Sequence, residues 1–226
     1  MIRPVGIPIE AGTALPPPRK SFTGRSVSLE PLSPTHIDGL WEIIGQPDQV
    51  GVWTYIPTEP LPGKEAFTEL LTGFCKSQDP VFYALVDPSG NPLGFFSLMR
   101  MDLKNRVVEL GYVIFSPLLQ RTTAATEAFY LIAAAVFGEL GYRRLEWKCD
   151  NLNAPSKKAA ARFGFTEEGV FRQHLIIKGR NRDTAWFSIV DTEWPGLKSS
   201  FKKWLDPVNF DVDGNQLCSL TSFRGA

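Results

Sequence analysis

Two stretches of this sequence combine residue types that do chemistry with a spacing that would bring them together. The first is Val107 to Thr126, V-V-E-L-G-Y-V-I-F-S-P-L-L-Q-R-T-T-A-A-T. Its first half reads as a strand stopped by Ser116-Pro117, and a helix opens near Thr123. The first N–H groups of a helix have no intrahelical partner and carry partial positive charge, so they suit phosphate oxygens. Small residues crowd this helix start, from Thr122 through Thr126, and would let phosphates approach the backbone. The same stretch also reads as a well-capped core helix. The second stretch is Cys149 to Phe165, C-D-N-L-N-A-P-S-K-K-A-A-A-R-F-G-F. Asn153 or Ser156 could cap a helix there, with Pro155 in its first turn. Alternatively, both side chains project into a cleft between two parallel strands, where a ligand would hydrogen-bond to exposed strand backbone.

Competing chemistries lack their residues. Gly63-Lys64-Glu65 has neither the upstream glycine nor the following Ser/Thr of a phosphate-binding loop. Asp211-x-Asp213-Gly214-Asn215 has the acids of a calcium loop, but its glycine is misplaced and the distal Glu is missing. No G-x-S-x-G elbow occurs. Cys75, Cys149 and Cys218 are far apart, and the histidines are His36 and His174 alone, so neither a disulfide framework nor a metal site is expected.

The elements that must position the two stretches follow from pattern and punctuation. Residues 1–26, rich in Pro and Gly, read as an irregular arm lying on a domain that spans 27–206; from Pro207 to 226 a polar, extended tail is expected. Within the domain, strands are expected at 27–32, 81–86, 93–101, 107–115, 143–149, 166–177 and 184–190. Helices are expected from Ser33-Pro34 through Ile44, over 64–76, over 123–140 closed by Gly141, over 154–163 ended by Gly164, and from Trp194 to Trp204. Gln46 to Pro62 reads as a loop with unusual aromatic content, Trp53 and Tyr55. The strands flanking the long alanine-rich helix should be parallel, because such a crossover needs about a dozen residues or more. Strand alternation should put Glu109, Gly111 and Val113 on one face.

Composition bounds the partners. Lys+Arg and Asp+Glu both number 24, so the net charge is zero, which argues against a non-specific nucleic-acid or membrane-surface binder. The longest apolar run, Ala128 to Phe137, is too short to span a bilayer, and the chain opens without the pattern of a signal peptide. The cytoplasm is the default compartment.

Together the two stretches resemble the GNAT superfamily of N-acetyltransferases, in its RimJ/RimL-like branch. Gln120-Arg121-Thr122-Thr123-Ala124-Ala125 fills the pattern [QR]-x-x-G-x-[GA], with Thr123 in place of the usual glycine. Asn153-Ala154-Pro155-Ser156 and Gly164-Phe165 fill N-x-x-S and G-F. The likeness extends from Leu29-Glu30-Pro31-Leu32 through Glu168-Gly169-Val170-Phe171-Arg172 and Arg182-Asp183-Thr184-Ala185-Trp186 to Glu193-Trp194-Pro195. It implies an α+β GNAT fold: a mixed, mostly antiparallel central sheet with one parallel β-α-β crossover and helices on both faces.

The resemblance also implies roles. Acetyl-CoA would be the co-substrate and a primary amine the acceptor. Val113, Ile114 and Phe115 would offer backbone to the pantetheine arm. Arg121, Thr122, Thr123, Ala124, Ala125 and Thr126 would bind the pyrophosphate, and Asn153 the pantetheine arm. Arg121, Lys157 or Lys158 could meet the 3′-phosphate. Glu109 or His174 could take the proton that the amine must lose, and Ser156 could give one to the departing thiolate. Each has a structural alternative: a salt bridge for Glu109, packing for His174, a helix cap for Ser156. Trp53, Tyr55, Phe96 and Arg100 are candidates for the acceptor pocket, with Trp53 and Tyr55 reading equally as a loop packing on the core. The charged hairpin Lys178-Gly179-Arg180-Asn181-Arg182 could be a patch for an acidic substrate or merely solvated, and Asp183 would brace it. A small amine is the expected acceptor, a protein N-terminus the other candidate, and a second copy of the chain a further partner. A coenzyme-binding scaffold that has lost catalysis at Thr123, or a related acyl-transfer or amide-forming enzyme, are the competing functions.

Overall fold

The computed structural model describes residues 3–59 and 61–224. Eight strands form one sheet: β1 (Phe22–Thr23), β2 (Ser28–Pro31), β3 (Val81–Val86), β4 (Pro92–Asp102), β5 (Val107–Phe115), β6 (Arg144–Asp150), β7 (Thr166–Ile177) and β8 (Arg180–Val190). Their spatial order is β1-β2-β3-β4-β5-β6-β8-β7. Every neighbouring pair is antiparallel except β5 and β6. That parallel pair is joined by α3 (Thr123–Ala134), which continues as a π turn over Ala135–Glu139 and closes at Gly141 with φ +70°.

The sheet is covered on both faces because its strands alternate. In β3, Val81, Tyr83 and Leu85 pack with α3 and α5 (Trp194–Leu205), while Phe82, Ala84 and Val86 face α1 (Ile37–Leu40) and α2 (Lys64–Lys76). Asn153 caps α4 (Ala154–Phe163), and Gly164 ends it at φ +100°.

Several expectations are corrected. The arm contributes β1, and its anchor is the buried Glu127, whose carboxylate accepts from the N–H groups of Arg25 and Ser26 at 2.8 and 2.6 Å. The tail is not extended: 3₁₀ turns at Pro207–Asn209 and Leu220–Phe223 fold it back on α5, with Asn209 and Leu220 buried. β8 starts at Arg180 rather than Thr184, because pairing with β7 overrides the weak strand preference of its charged first residues. Finally, Tyr112 sits at φ +48° in a bulge, where Tyr112 and Val113 together oppose Phe96. Val113 therefore packs on the α3 side with Leu110, on the face opposite Glu109.

Candidate active site

The sheet opens between its two parallel strands. β5 and β6 pair only at Val107–Arg144, Val108–Leu145 and Glu109–Glu146. Beyond that rung, residues 110–115 and 147–150 keep their outer partners, β4 and β8, but no longer pair with each other. Backbone groups along such a gap need another partner. One end of the gap leads to the start of α3. There Thr122 caps the helix by accepting from the Ala125 N–H at 3.2 Å. Among the described residues, the N–H groups of Arg121, Thr123 and Ala124 have no partner. Arg121 takes φ +65° to make this turn. Ala125 and Thr126 turn inward and are buried. A free, small-residue helix start of this kind suits a pyrophosphate, and an open strand pair suits an amide-bearing arm, so the residues present fit coenzyme A.

The other face of the fork carries a row of charges. β6 alternates R-L-E-W-K-C-D: Leu145, Trp147 and Cys149 enter the core, and Arg144, Glu146, Lys148 and Asp150 line the opposite face. The Lys148 side chain is only 5% exposed, lies 3.8 Å from the Trp186 ring centroid, and forms ion pairs with Glu109 Oε2 at 2.9 Å and Glu146 Oε2 at 2.8 Å. Arg100 reaches the same Glu109 oxygen at 3.1 Å. Arg144 holds Glu146 at 2.8 Å and grips Glu168 with two nitrogens at 2.7 and 2.5 Å. Arg144, together with the Ser188 hydroxyl, draws the Glu168 carboxyl down to about 2.

A cleft of about 120 Å³ lies above this row. It gathers Glu109, Tyr112, Val113, Lys148, Asn153, Ser156, His174 and Arg182, roofed by Tyr55, Ile56 and Pro57. The roof is tied across the opening: the Tyr55 hydroxyl donates to the Leu152 carbonyl at 3.3 Å, and Lys178 at the β7–β8 tip donates to the Trp53 carbonyl at 2.9 Å. A larger hollow of about 450 Å³, under the C-terminal turn between Gly164, Leu197 and Arg224, shares no residue with the fork and lacks this convergence of polar groups.

The sequence candidates fall into three groups. Glu109, Arg100, Tyr55, Val113, Asn153, Ser156 and His174 meet at the cleft. Arg121, Thr122, Thr123 and Ala124 form the turn at the helix start. Trp53 and Phe96 do not reach the cleft: Trp53 is core, with its Nε1 donating to the Ile44 carbonyl at 2.7 Å, and Phe96 is buried against Tyr83. Ile114 is likewise buried in the α1–α2 core, and Phe115 packs on the α3 side, so only their backbones can serve a ligand. Asn153 Oδ1 accepts from the Ser156 N–H at 3.1 Å, and Ser156 Oγ accepts from Trp147 Nε1 at 2.9 Å. Burial pushes up the neighbouring Cys149 thiol. His174 Nδ1 is bound to Thr184 Oγ1 at 2.9 Å. Lys148 and Glu146 escape a motif search, and the signal that would have found them is the charged residue at every second position of β6; Arg182, expected within the charged hairpin, lines the cleft.

Residues 26–166 match the family described as "Acetyltransferase (GNAT) domain". The chain is similar to a GCN5-related N-acetyltransferase from Brucella melitensis of known crystal structure, at 46% identity and a TM-score of 0.92, covering 95% of this chain and 98% of that one. It is also 27% identical over 180 residues to the "Putative ribosomal N-acetyltransferase YdaF" of Bacillus subtilis (strain 168), covering 76% of this chain and 95% of that protein. A spermidine N-acetyltransferase from Vibrio cholerae, solved with CoA and spermine, shares the fold at a TM-score of 0.62 and 18% identity, covering 75% of this chain and 98% of that one.

Proposed function

Because the chain belongs to the GNAT acetyltransferase family, and is thus an acetyl-CoA-dependent N-acetyltransferase, we propose that its acceptor is the primary amine of a small molecule, bound in the cleft beside Glu109. The observation that carries this reading is the fork. It joins a free helix start on one side of the sheet to a roofed, charged cleft on the other, and an extended thioester threaded through it presents its carbonyl to the cleft. The amine attacks that carbonyl, a C–N bond forms, and the C–S bond breaks to release CoA thiolate.

An alkylammonium has a pKa near 10, so only about one molecule in a thousand is nucleophilic at pH 7. Glu109 is the group to draw in the ammonium and take its proton. Both of its cations sit on Oε2, and Oε1 points along the strand to within 3.5 Å of where a Gly111 Cβ would stand. That point is already occupied by Met99, whose Sδ lies 2.3 Å from it, so glycine at position 111 makes room for the Met99 side chain beside Glu109. Ser156, already accepting from Trp147, has its own proton to give to the thiolate. His174 lines the cleft as the second group able to accept a proton.

A protein N-terminus is the second acceptor class, suggested by the name of the Bacillus relative. The roofed, small cleft favours the small amine. Calorimetry with CoA and a thiol-release assay over a panel of amines and N-terminal peptides tests the reading. Release of CoA with a small amine supports it. Release with peptides alone would move the acceptor to proteins, and tight CoA binding without release on any amine would mark a scaffold.

A further inference from the structure

The cations of this cleft and of the charged row beneath it are not equivalent. Arg100 has Glu109, Lys148 has Glu109 and Glu146, and Arg144 has Glu146 and Glu168, all within 3.1 Å. Arg182 lines the same cleft, and among the described residues no carboxylate lies within 4.0 Å of it. Its Nε is buried without any hydrogen-bond partner. It stands on the face of β8 that also presents Thr184 and Trp186, one strand from Lys148. Asp150 lines the same cleft and favours the charged guanidinium through space, but it stands beyond ion-pair distance, and one of its oxygens accepts from the Leu152 N–H at 2.8 Å. A guanidinium kept in a half-buried cleft with an unsatisfied N–H is costly unless a ligand completes it.

We propose that Arg182 reads a carboxylate on the acceptor, so that the substrates are amines bearing a carboxylate group. This rests on the small-amine reading above and narrows it. A planar guanidinium matches a carboxylate with two parallel N–H···O bonds, and its single charge is the amount a carboxylate needs. The acceptor is then held at both ends, its carboxylate by Arg182 and its ammonium by Glu109, which fixes the nitrogen for attack. Burial works against Arg182 keeping its proton, which sharpens its demand for an anion.

The test uses matched pairs: amino acids against the amines that lack only the carboxylate, with peptides bearing a free or amidated C-terminus as a further arm. In the wild type, loss of the carboxylate should raise KM by ten- to a hundred-fold with a smaller change in kcat. Arg182→Gln should erase this preference and Arg182→Lys should keep part of it, while affinity for CoA stays within two-fold in both. Free amino acids as the better arm name the source as a metabolite; peptides with a free C-terminus as the better arm keep the carboxylate contact but overturn the small-amine reading. Equal use of carboxylate-free amines, a preference that survives Arg182→Gln, or a large loss of CoA affinity in Arg182→Gln would overturn the assignment. If no amine releases CoA, the acetyl-transfer reading fails by itself. Arg182 is then judged by saturation-transfer NMR of the CoA-bound protein with each matched pair, where equal binding of both members overturns it.

Discussion

Replacing Lys148 by Met removes a cation that is 5% exposed while keeping most of its volume over Trp186. Each of its two contacts, at 2.9 and 2.8 Å, is worth roughly 6 kcal/mol gross at an effective dielectric near 20, most of which offsets the cost of burying the ammonium. Removing one member of a buried ion pair typically costs about 3–5 kcal/mol, because it leaves an uncompensated charge. Here each carboxylate keeps one partner, Glu109 through Arg100 at 3.1 Å and Glu146 through Arg144 at 2.8 Å. Arg100 is half exposed and therefore screened, so the expected loss lies at the low end, about 3 kcal/mol. Urea unfolding followed by tryptophan fluorescence reads this as a midpoint lower by about 1 M, given a slope near 3 kcal/mol per M. The double variant with Glu109→Gln removes opposite charges together and should be at least about 1 kcal/mol more stable than additivity demands. A Lys148→Met midpoint within about 0.2 M of wild type, together with an additive double variant, would refute the reasoning.

Three further outcomes follow from the same structure. Thr123→Glu places an anion beside free N–H groups, so it should leave the melting temperature equal or slightly higher while weakening CoA binding at least ten-fold by calorimetry; unchanged affinity would put the phosphates elsewhere. Gly94→Ala, at φ +155°, would bring a Cβ to 2.3 Å from the Ile114 carbonyl oxygen; a loss of about 3 kcal/mol in urea unfolding is expected, and a near-neutral variant would contradict the packing of β4 on β5. The Glu168 carboxyl is held at about 2, below its ordinary 4.5, so its contribution is complete above pH 4.5 and is lost as pH falls toward 2. Its side chain is 39% exposed, which discounts that contribution to about 1 kcal/mol, and Glu168→Gln should flatten the acid limb of stability against pH by that amount; an equally steep limb would exclude the role.

The element order was legible because punctuation agreed with period: Ser116-Pro117 ends β5, Thr122 caps α3, Gly141 and Gly164 take left-handed conformations where helices stop. The crossover likewise announced the one parallel pair. The bulge at Tyr112 was not legible, since a tyrosine at φ +48° violates residue preference and is held there by the register of β4. Trp53 read equally as a pocket residue and as a loop residue packing on the core, because its partners, Ile44, Phe67 and Phe95, lie on three other elements; the core reading is the one observed. The charges of β6 were visible as a period-two row, but such a row ordinarily faces water. Nothing local shows that residues 55–57 roof it.

The row and the fork explain one another. A parallel pair that opens after three rungs leaves backbone polar groups along the gap, and the ordinary way to satisfy them would be for the strands to close. Lys148 stands two residues past the last rung of β6 and reaches back across to Glu109, the last rung of β5. It fastens the base of the fork with an ion pair. The bulge at Tyr112 turns the β5 backbone beyond that point, out of register for pairing. The depth of the opening is thus set by a charged strut below and a misaligned strand above. Along the row, Arg100, Lys148 and Arg144 are matched by Glu109, Glu146 and Glu168. Of the cleft's cations this matching leaves Arg182 without a direct ion pair, which is why that residue is the one proposed to meet a carboxylate on the acceptor.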